Sequence, residues 1–207
     1  MFIGAELQPS RARRGAVERA WVQLVSAGPT LTSRERIDVI AGARRAWAGA
    51  EAPEPGTGVS GEAIFWLAVD AEGITHDLVS DFARRGLPLE SYLEIVGVVA
   101  RLSNIDWYMR GIGSGITRLP DSDPSGPTGN ISPHARITDS WVPMLGNAAA
   151  PRTLDALPDE GEALRDLHEA MYIDMDSIDD WTLDGDLSRS QIEFVAARTS
   201  YLNECFY

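Results

Sequence analysis

Lysine is absent from this chain of 207 residues, and all 18 of its basic residues are arginine. They stand against 31 acidic residues, which gives a formal net charge of −13 at pH 7. A field of this sign repels phosphate backbones and anionic lipid headgroups. We therefore expect neither nucleic acid nor a membrane surface as a partner, and a solvated acidic surface is the simplest interpretation of the charge.

Cysteine and long apolar segments are also scarce. No apolar run approaches the roughly 20 residues that are needed to cross a bilayer, and the first 25 residues lack the apolar core of a signal peptide. The single cysteine, Cys205, allows no internal disulfide, which is typical of a reducing compartment. We predict a cytoplasmic protein.

Helical periodicity is the clearest pattern that is present. The segments with apolar residues at the spacing of one helix face are 31–48, 61–85, 88–112, 160–172 and 187–204. Thr32 or Ser33 is the expected N-cap of the first segment, and Gly73 is expected to divide the second into two helices. No stretch of convincing length alternates with the period of a strand. The predicted fold class is all-α.

A segment rich in Pro, Gly, Ser and Asp, residues 116–136, separates the helical segments. The domain organisation that we predict is an N-terminal extension at 1–30, a first helical region at 31–115, a linker at 116–136 and a second helical region at 137–207. The openings "LTSRERIDVIAGARRAW" and "LSRSQIEFVAARTSYLN" are alike. They indicate either a weak internal repeat or a chance likeness of two amphipathic helices.

Glu193 and Cys205 are the candidate chemical residues at the C-terminal end. On one straight helix, twelve residues would separate them by about 18 Å, so they can meet only if the chain turns between them. Asn203 favours such a turn, and a thiol that opens a new helix is more acidic than usual. A nearby carboxylate can then move a proton to or from sulfur. The alternative is a surface glutamate and a bystander cysteine.

The segment "LSRSQIEFVAARTSYLNECFY" resembles the start of the active-site region of the alkylhydroperoxidase D and carboxymuconolactone decarboxylase superfamily. In that family a Leu-Ser opening leads to a helix that bears a glutamate. Twelve residues later follows Cys-x-x-Cys-x-x-x-His, commonly with Tyr before the second Cys. The residues in register are Leu187, Ser188, Glu193, Asn203, Cys205 and Tyr207.

An earlier segment, "HDLVSDFARRGLPLESYLEIVGVVARLSNIDWYMRGIG", resembles the closing half of such a domain. The matching residues are Gly86, Leu87, Glu90, Glu94, Ile95, Val96, Asn104 and Gly113. The closing half therefore precedes the catalytic half, an order that suggests a longer protein with two repeats, cut within the second. When Leu31 is aligned with Leu187, Ile37 and Gly49 occupy the positions of Glu193 and Cys205. We expect no second thiol site in the first region.

The resemblance implies an alkylhydroperoxidase D-like helical bundle and a thiol-dependent reductase of hydroperoxides. Glu193 would handle protons and Cys205 would resolve the oxidised partner cysteine, with a thiol reductant as electron donor and with no metal or other cofactor. Family members are commonly trimers or larger, so a homo-oligomer is expected. The alternatives are a carboxymuconolactone decarboxylase-like enzyme and a non-catalytic helical subunit.

The printed sequence ends one position before the family's attacking cysteine. We therefore expect it to lack the family's dithiol peroxidase activity by itself. A fragment, a separate subunit that carries the remainder, and a selenocysteine codon at the next position are the three explanations. The three histidines, His76, His134 and His168, have no metal-ligand spacing.

Overall fold

The structure is a computed structural model, and it describes residues 1–146, 152–173, 177–182 and 187–202. The helices in these residues are α1 (Arg11–Val25), α2 (Ser33–Trp47), α3 (Gly58–Val69), α4 (His76–Arg84), α5 (Leu89–Gly111), α6 (Pro158–Met171) and α7 (Arg189–Leu202). An isolated antiparallel bridge joins Arg136 and Met144, and no strand is formed in the described residues. The all-α prediction is confirmed for the described residues, while the alkylhydroperoxidase D-like bundle stays a prediction.

Local sequence signals account for the bounds of several helices. The Thr32 side chain accepts a hydrogen bond from the Glu35 amide, and the Glu35 carboxylate accepts one from the Thr32 amide, which forms a capping box at the start of α2. Gly73 lies between α3 and α4 as predicted, and Pro88 directly precedes α5. Helix α1 lies inside the segment that the sequence analysis treats as an extension.

The chain divides into two compact units, Met1–Leu167 and His168–Tyr207. In the first unit, α5 packs against α1, α2 and α3. Its inward side chains form the centre of an apolar core, and those with an exposed fraction of 1% or less are Leu93, Ile95, Val98, Leu102, Ile105 and Met109. The domain boundaries predicted from the sequence stay a prediction.

A cluster of four charged side chains is buried in this first unit, and it consists of Arg36, Glu94, Arg101 and Glu160. Nη1 of Arg36 donates to Oε1 of Glu94 and to Oε1 of Glu160, each at 2.8 Å. Nη2 of Arg101 donates to the second oxygen of Glu160. None of the four residues is more than 3% exposed. Because isolated buried charges are very costly, their mutual pairing is what makes this arrangement tolerable.

Glu94 has the most complete set of partners in this cluster. Its Oε2 accepts hydrogen bonds from the amide and the hydroxyl of Thr30, at 2.6 and 2.7 Å, and from the Leu31 amide at 3.1 Å. Burial raises the pKa of Glu94, while the Thr30 hydrogen bonds and the Arg36 charge act in the opposite direction. The carboxylate thereby ties α5 to the loop that precedes α2.

The predicted linker, 116–136, has no helix, but its irregular backbone is held against the first unit. The amides of Thr128 and Gly129 donate to the carbonyls of Gly28 and Pro29 at 2.8 and 3.0 Å. Nη1 of Arg44 donates to the carbonyl of Thr117 at 2.8 Å. These residues therefore belong to the packed unit, although their composition is that of a loop.

None of the helices in the described residues is long and apolar enough to cross a membrane.

Candidate functional site

Helix α7 carries Glu193, the carboxylate that the sequence analysis singles out. The helix starts after Ser188, whose amide donates to Oε1 of Gln191 at 2.9 Å and whose hydroxyl accepts from the Gln191 amide at 3.4 Å. Ser188 therefore caps the helix, in the reciprocal form of a capping box. It fixes the first turn and with it the position of Glu193.

Two donors converge on one oxygen of the Glu193 carboxylate. The phenolic hydroxyl of Tyr172 donates to Oε1 at 2.8 Å, and Nε of Arg189 donates to the same atom at 2.7 Å. Arg189 lies four residues earlier on α7, so helix geometry brings the pair together. The Glu193 side chain is 33% exposed, which leaves it accessible to a reacting group.

The electrostatics of this group favour the ionised carboxylate. The hydrogen bond from Tyr172, followed by the bond and charge of Arg189, lowers the pKa of Glu193. Burial, followed by the bond to Glu193, raises the pKa of Tyr172. Near neutral pH the pair is thus an ionised carboxylate with a neutral phenol beside it, and only the ionised form can act as a proton acceptor.

Aromatic side chains of the same unit flank these two donors. The His168 ring meets the Tyr172 ring edge to face, with centroids 5.4 Å apart. Cζ of Arg189 lies 4.8 Å from the centroid of the Trp181 ring, in a cation–π contact, and Arg189 is only 5% exposed. Each donor therefore makes a further aromatic contact besides its hydrogen bond to Glu193.

The sequence pattern indicates Glu193 but neither Tyr172 nor Arg189. For Arg189 a signal was present, because an Arg–Glu pair four residues apart on a helix is a recognisable pattern. Tyr172 is 21 residues from Glu193, and no local spacing predicts that contact.

Cys205, the other predicted site residue, lies outside the described residues, as do Asn203 and Tyr207. The expected turn between Glu193 and Cys205 is thus untested. In the first unit, the positions aligned with the two site residues hold a buried Ile37 and a left-handed Gly49 with φ of 97°. The isoleucine side chain is a hydrocarbon and glycine has no side chain, so neither residue can carry proton or thiol chemistry.

Within the part of the chain that the structure describes, no cluster of three or more His, Cys, Asp or Glu residues is arranged to hold a metal ion. Comparisons of the chain with family models, with curated proteins and with solved structures found no match.

Proposed function

We propose that this chain is a thiol-dependent oxidoreductase of hydroperoxides, similar to alkylhydroperoxidase D, in which Glu193 moves protons and Cys205 is the resolving thiol. The observation that carries the proposal is the carboxylate of Glu193 on α7, which receives hydrogen bonds from Tyr172 and Arg189 and precedes Cys205 by twelve residues in the sequence. General acid–base catalysis needs a carboxylate that is positioned in this way and remains accessible.

The chemistry requires a second sulfur or selenium atom, since Cys205 is the one cysteine of the sequence. The proposal assigns the attack on the hydroperoxide to such a group on a further segment or subunit. Its thiolate or selenolate attacks the terminal peroxide oxygen, the O–O bond breaks, and the alkoxide leaves as the alcohol after taking a proton from solvent. The product is a sulfenic acid, or a selenenic acid if the attacking atom is selenium.

Cys205 then reacts with the oxidised group. Glu193 takes the proton of the Cys205 thiol, and the thiolate attacks the oxidised sulfur. A disulfide forms, and hydroxide leaves with the proton that Glu193 held, as water. An external thiol reductant supplies two electrons and returns both groups to thiols.

The test isolates the step that belongs to this chain. The neutral disulfide 2,2′-dithiodipyridine stands in for the oxidised partner, and the rate of its reaction with Cys205 is measured against pH. Cys205→Ser should abolish the reaction. Glu193→Gln should slow it by about tenfold or more below the thiol pKa, because proton transfer is lost. Glu169→Gln, which removes an exposed carboxylate of the same unit, should leave the rate unchanged.

A rate that is unaffected or increased by Glu193→Gln would contradict the role of Glu193 as proton acceptor. An intact-mass measurement on protein from the native source would identify the attacking group. A further Cys or a selenium atom in the same chain would place it in cis, and its absence would require a partner subunit.

A second candidate function, a helical subunit without chemistry of its own, is favoured by the exposed apolar residues of α7. Phe194 and Tyr201 are each 74% exposed and Leu202 is 64% exposed. Such exposure on one helix is typical of a surface that meets another protein. If Cys205 reacts no faster than free cysteine at every pH, this second function is the better explanation.

A further inference from the structure

A cleft of about 420 Å³ lies between α2 and α3 in the first unit, and the site in the second unit does not use it. Its volume is within the range of small-molecule sites in proteins. The lining includes residues of α2 and α3, the loop before each helix, and one residue of α5. No cofactor or substrate role has been assigned to any of them above.

The floor of the cleft is apolar. It consists of the buried side chains Leu31, Val39, Ile64, Phe65 and Ile95, none of which is more than 8% exposed. Three helices and a loop contribute to it, so it belongs to the rigid core and is not made by one mobile segment. A floor of this kind favours a ligand with an aliphatic or aromatic body.

Two glycines contribute to the open space. Gly42 of α2 and Gly61 of α3 both line the cleft. A Cβ atom on Gly42 would lie 3.1 Å from Cγ2 of Ile64, which is tighter than ordinary contact. A Cβ atom on Gly61 would lie 1.8 Å from Oγ1 of Thr57. Glycine at both positions therefore permits the close approach of the neighbouring groups and adds no side chain to the cleft.

The rim is acidic. The exposed residues Glu35, Asp38 and Glu54 line the cleft, and Arg45 is its only basic residue in the described part of the chain. Nη1 of Arg45 pairs with Glu54 at 2.9 Å. Asp38 has an exposed partner, Arg34, at 3.3 Å. With Arg34 included, the rim has three carboxylates and two guanidinium groups, so one negative charge is in excess.

We propose that this cleft binds a small amphipathic cation, with its apolar body on the floor and a primary ammonium group at the rim carboxylates of Asp38 and Glu54. The proposal depends on charge complementarity together with the apolar floor, and it is independent of the thiol chemistry proposed for Glu193 and Cys205. An anion with the same apolar body would meet repulsion at the rim.

The experiment uses the full chain and two probes of matched shape, 4-phenylbutylammonium and 4-phenylbutyrate, with binding followed by NMR. The ammonium probe should shift the methyl resonances of Val39, Ile64 and Ile95 with a Kd of about 1 mM or tighter. The carboxylate probe should bind at least about tenfold more weakly. The affinity of the ammonium probe should fall with added salt, since the rim is exposed.

Variants at the rim locate the binding. Asp38→Asn and Glu54→Gln should each lower the affinity of the chain for the ammonium probe about two- to fivefold, as expected for exposed ion pairs. Asp77→Asn, the same charge change at an exposed α4 residue outside the cleft, should have no effect. Ala41→Phe places a ring on an exposed lining position and should reduce binding about tenfold or more. Circular dichroism checks that each variant is folded.

Equal or tighter binding of 4-phenylbutyrate would overturn the proposal. An equal loss of affinity for the ammonium probe in Asp38→Asn and Asp77→Asn would also overturn it. The absence of shifts at the cleft methyl resonances with either probe at about 5 mM would do the same. If Ala41→Phe does not fold, the rim variants alone decide the question.

Discussion

Nη1 of Arg36 lies 2.8 Å from Oε1 of Glu94, and the two side chains are 1% and 0% exposed. The same nitrogen contacts Glu160 of α6, so one guanidinium links α2, α5 and α6 within the first unit. Helix α2 also carries an exposed ion pair, Arg34–Asp38, with side chains 73% and 59% exposed. The two pairs provide a direct comparison of buried and exposed charge on one helix.

Glu94→Gln should lower the free energy of unfolding by about 3 kcal/mol or more. Both carboxylate oxygens accept hydrogen bonds, from Thr30, Leu31 and Arg36, whereas an amide has only one oxygen. Its NH₂ group would therefore face donors without a partner. Urea unfolding monitored by circular dichroism provides the measurement.

Asp38→Asn is the control for that experiment. It should lower the free energy of unfolding by no more than about 0.5 kcal/mol, because exposed i,i+4 ion pairs contribute little to stability. Equal losses in the two variants would show that burial does not set the strength of the Arg36–Glu94 pair.

Tyr172→Phe should raise the pKa of Glu193 toward its ordinary value, because it removes the largest cause of the depression. A carboxyl group whose pKa is depressed in the folded state stabilises the fold at pH values above the ordinary pKa of Glu. This contribution is lost as the pH falls through the folded-state pKa. The variant should therefore lose less stability between about pH 7 and about pH 3 than the parent chain.

Side-chain carboxyl NMR of Glu193 measures this pKa directly, and urea unfolding at the two pH values measures the stability. Tyr108→Phe on α5 is the matched control, since Tyr108 has no bond to Glu193 among the described contacts. A Glu193 pKa that stays unchanged in Tyr172→Phe would contradict the assigned hydrogen bond.

Burial raises the pKa of Tyr92 to about 12, from an ordinary value of 10.0. The neutral phenol is therefore favoured in the folded state. The stabilising contribution of the buried neutral phenol is complete below pH 10. As the pH rises toward 12, the free energy of unfolding falls by up to about 2–3 kcal/mol. Tyr92→Phe should make unfolding less dependent on pH in this window. Phenolate absorbance and urea unfolding across the window provide the measurements, and an identical pH dependence in both proteins would contradict the assignment.

Local chemistry explains which parts of the fold the sequence could predict. Thr32 and Glu35 are three residues apart, and their capping box depends on nothing else in the chain. Helix α1 could have been predicted too, because Ala16, Ala20 and Leu24 repeat every four residues and all are buried. The extension assigned at 1–30 did not take that pattern into account.

The charged interior could not be predicted in this way. Arg36, Glu94 and Glu160 each lie on an amphipathic helix, where a lone charge is usually solvated. Arg36 is 58 residues from Glu94 and 124 residues from Glu160 in the sequence. Only the packing of α2, α5 and α6 brings these side chains together. The same holds for Tyr172 and Glu193, whose contact depends on the tertiary structure of the second unit.

Gly28 lies against the charged cluster, and replacing it tests how rigid the cluster is. A Cβ atom at this position would lie 1.9 Å from Nη1 of Arg36 and 2.1 Å from Oε1 of Glu94. Both atoms are hydrogen-bonded and buried, so they cannot move aside without breaking the pair. Gly28→Ala should therefore lower the free energy of unfolding by about 2–3 kcal/mol or more.

Gly111→Ala is the matched control, since no heavy atom lies within 4 Å of the added Cβ and the position is the last of α5. There the lower entropy of alanine in the unfolded chain should leave stability unchanged or raise it by up to about 1 kcal/mol. Urea unfolding of both variants measures the difference. A Gly28→Ala variant as stable as Gly111→Ala would mean that the ion pair can shift to admit a methyl group, and that Arg36 and Glu94 are held less rigidly than their hydrogen bonds indicate.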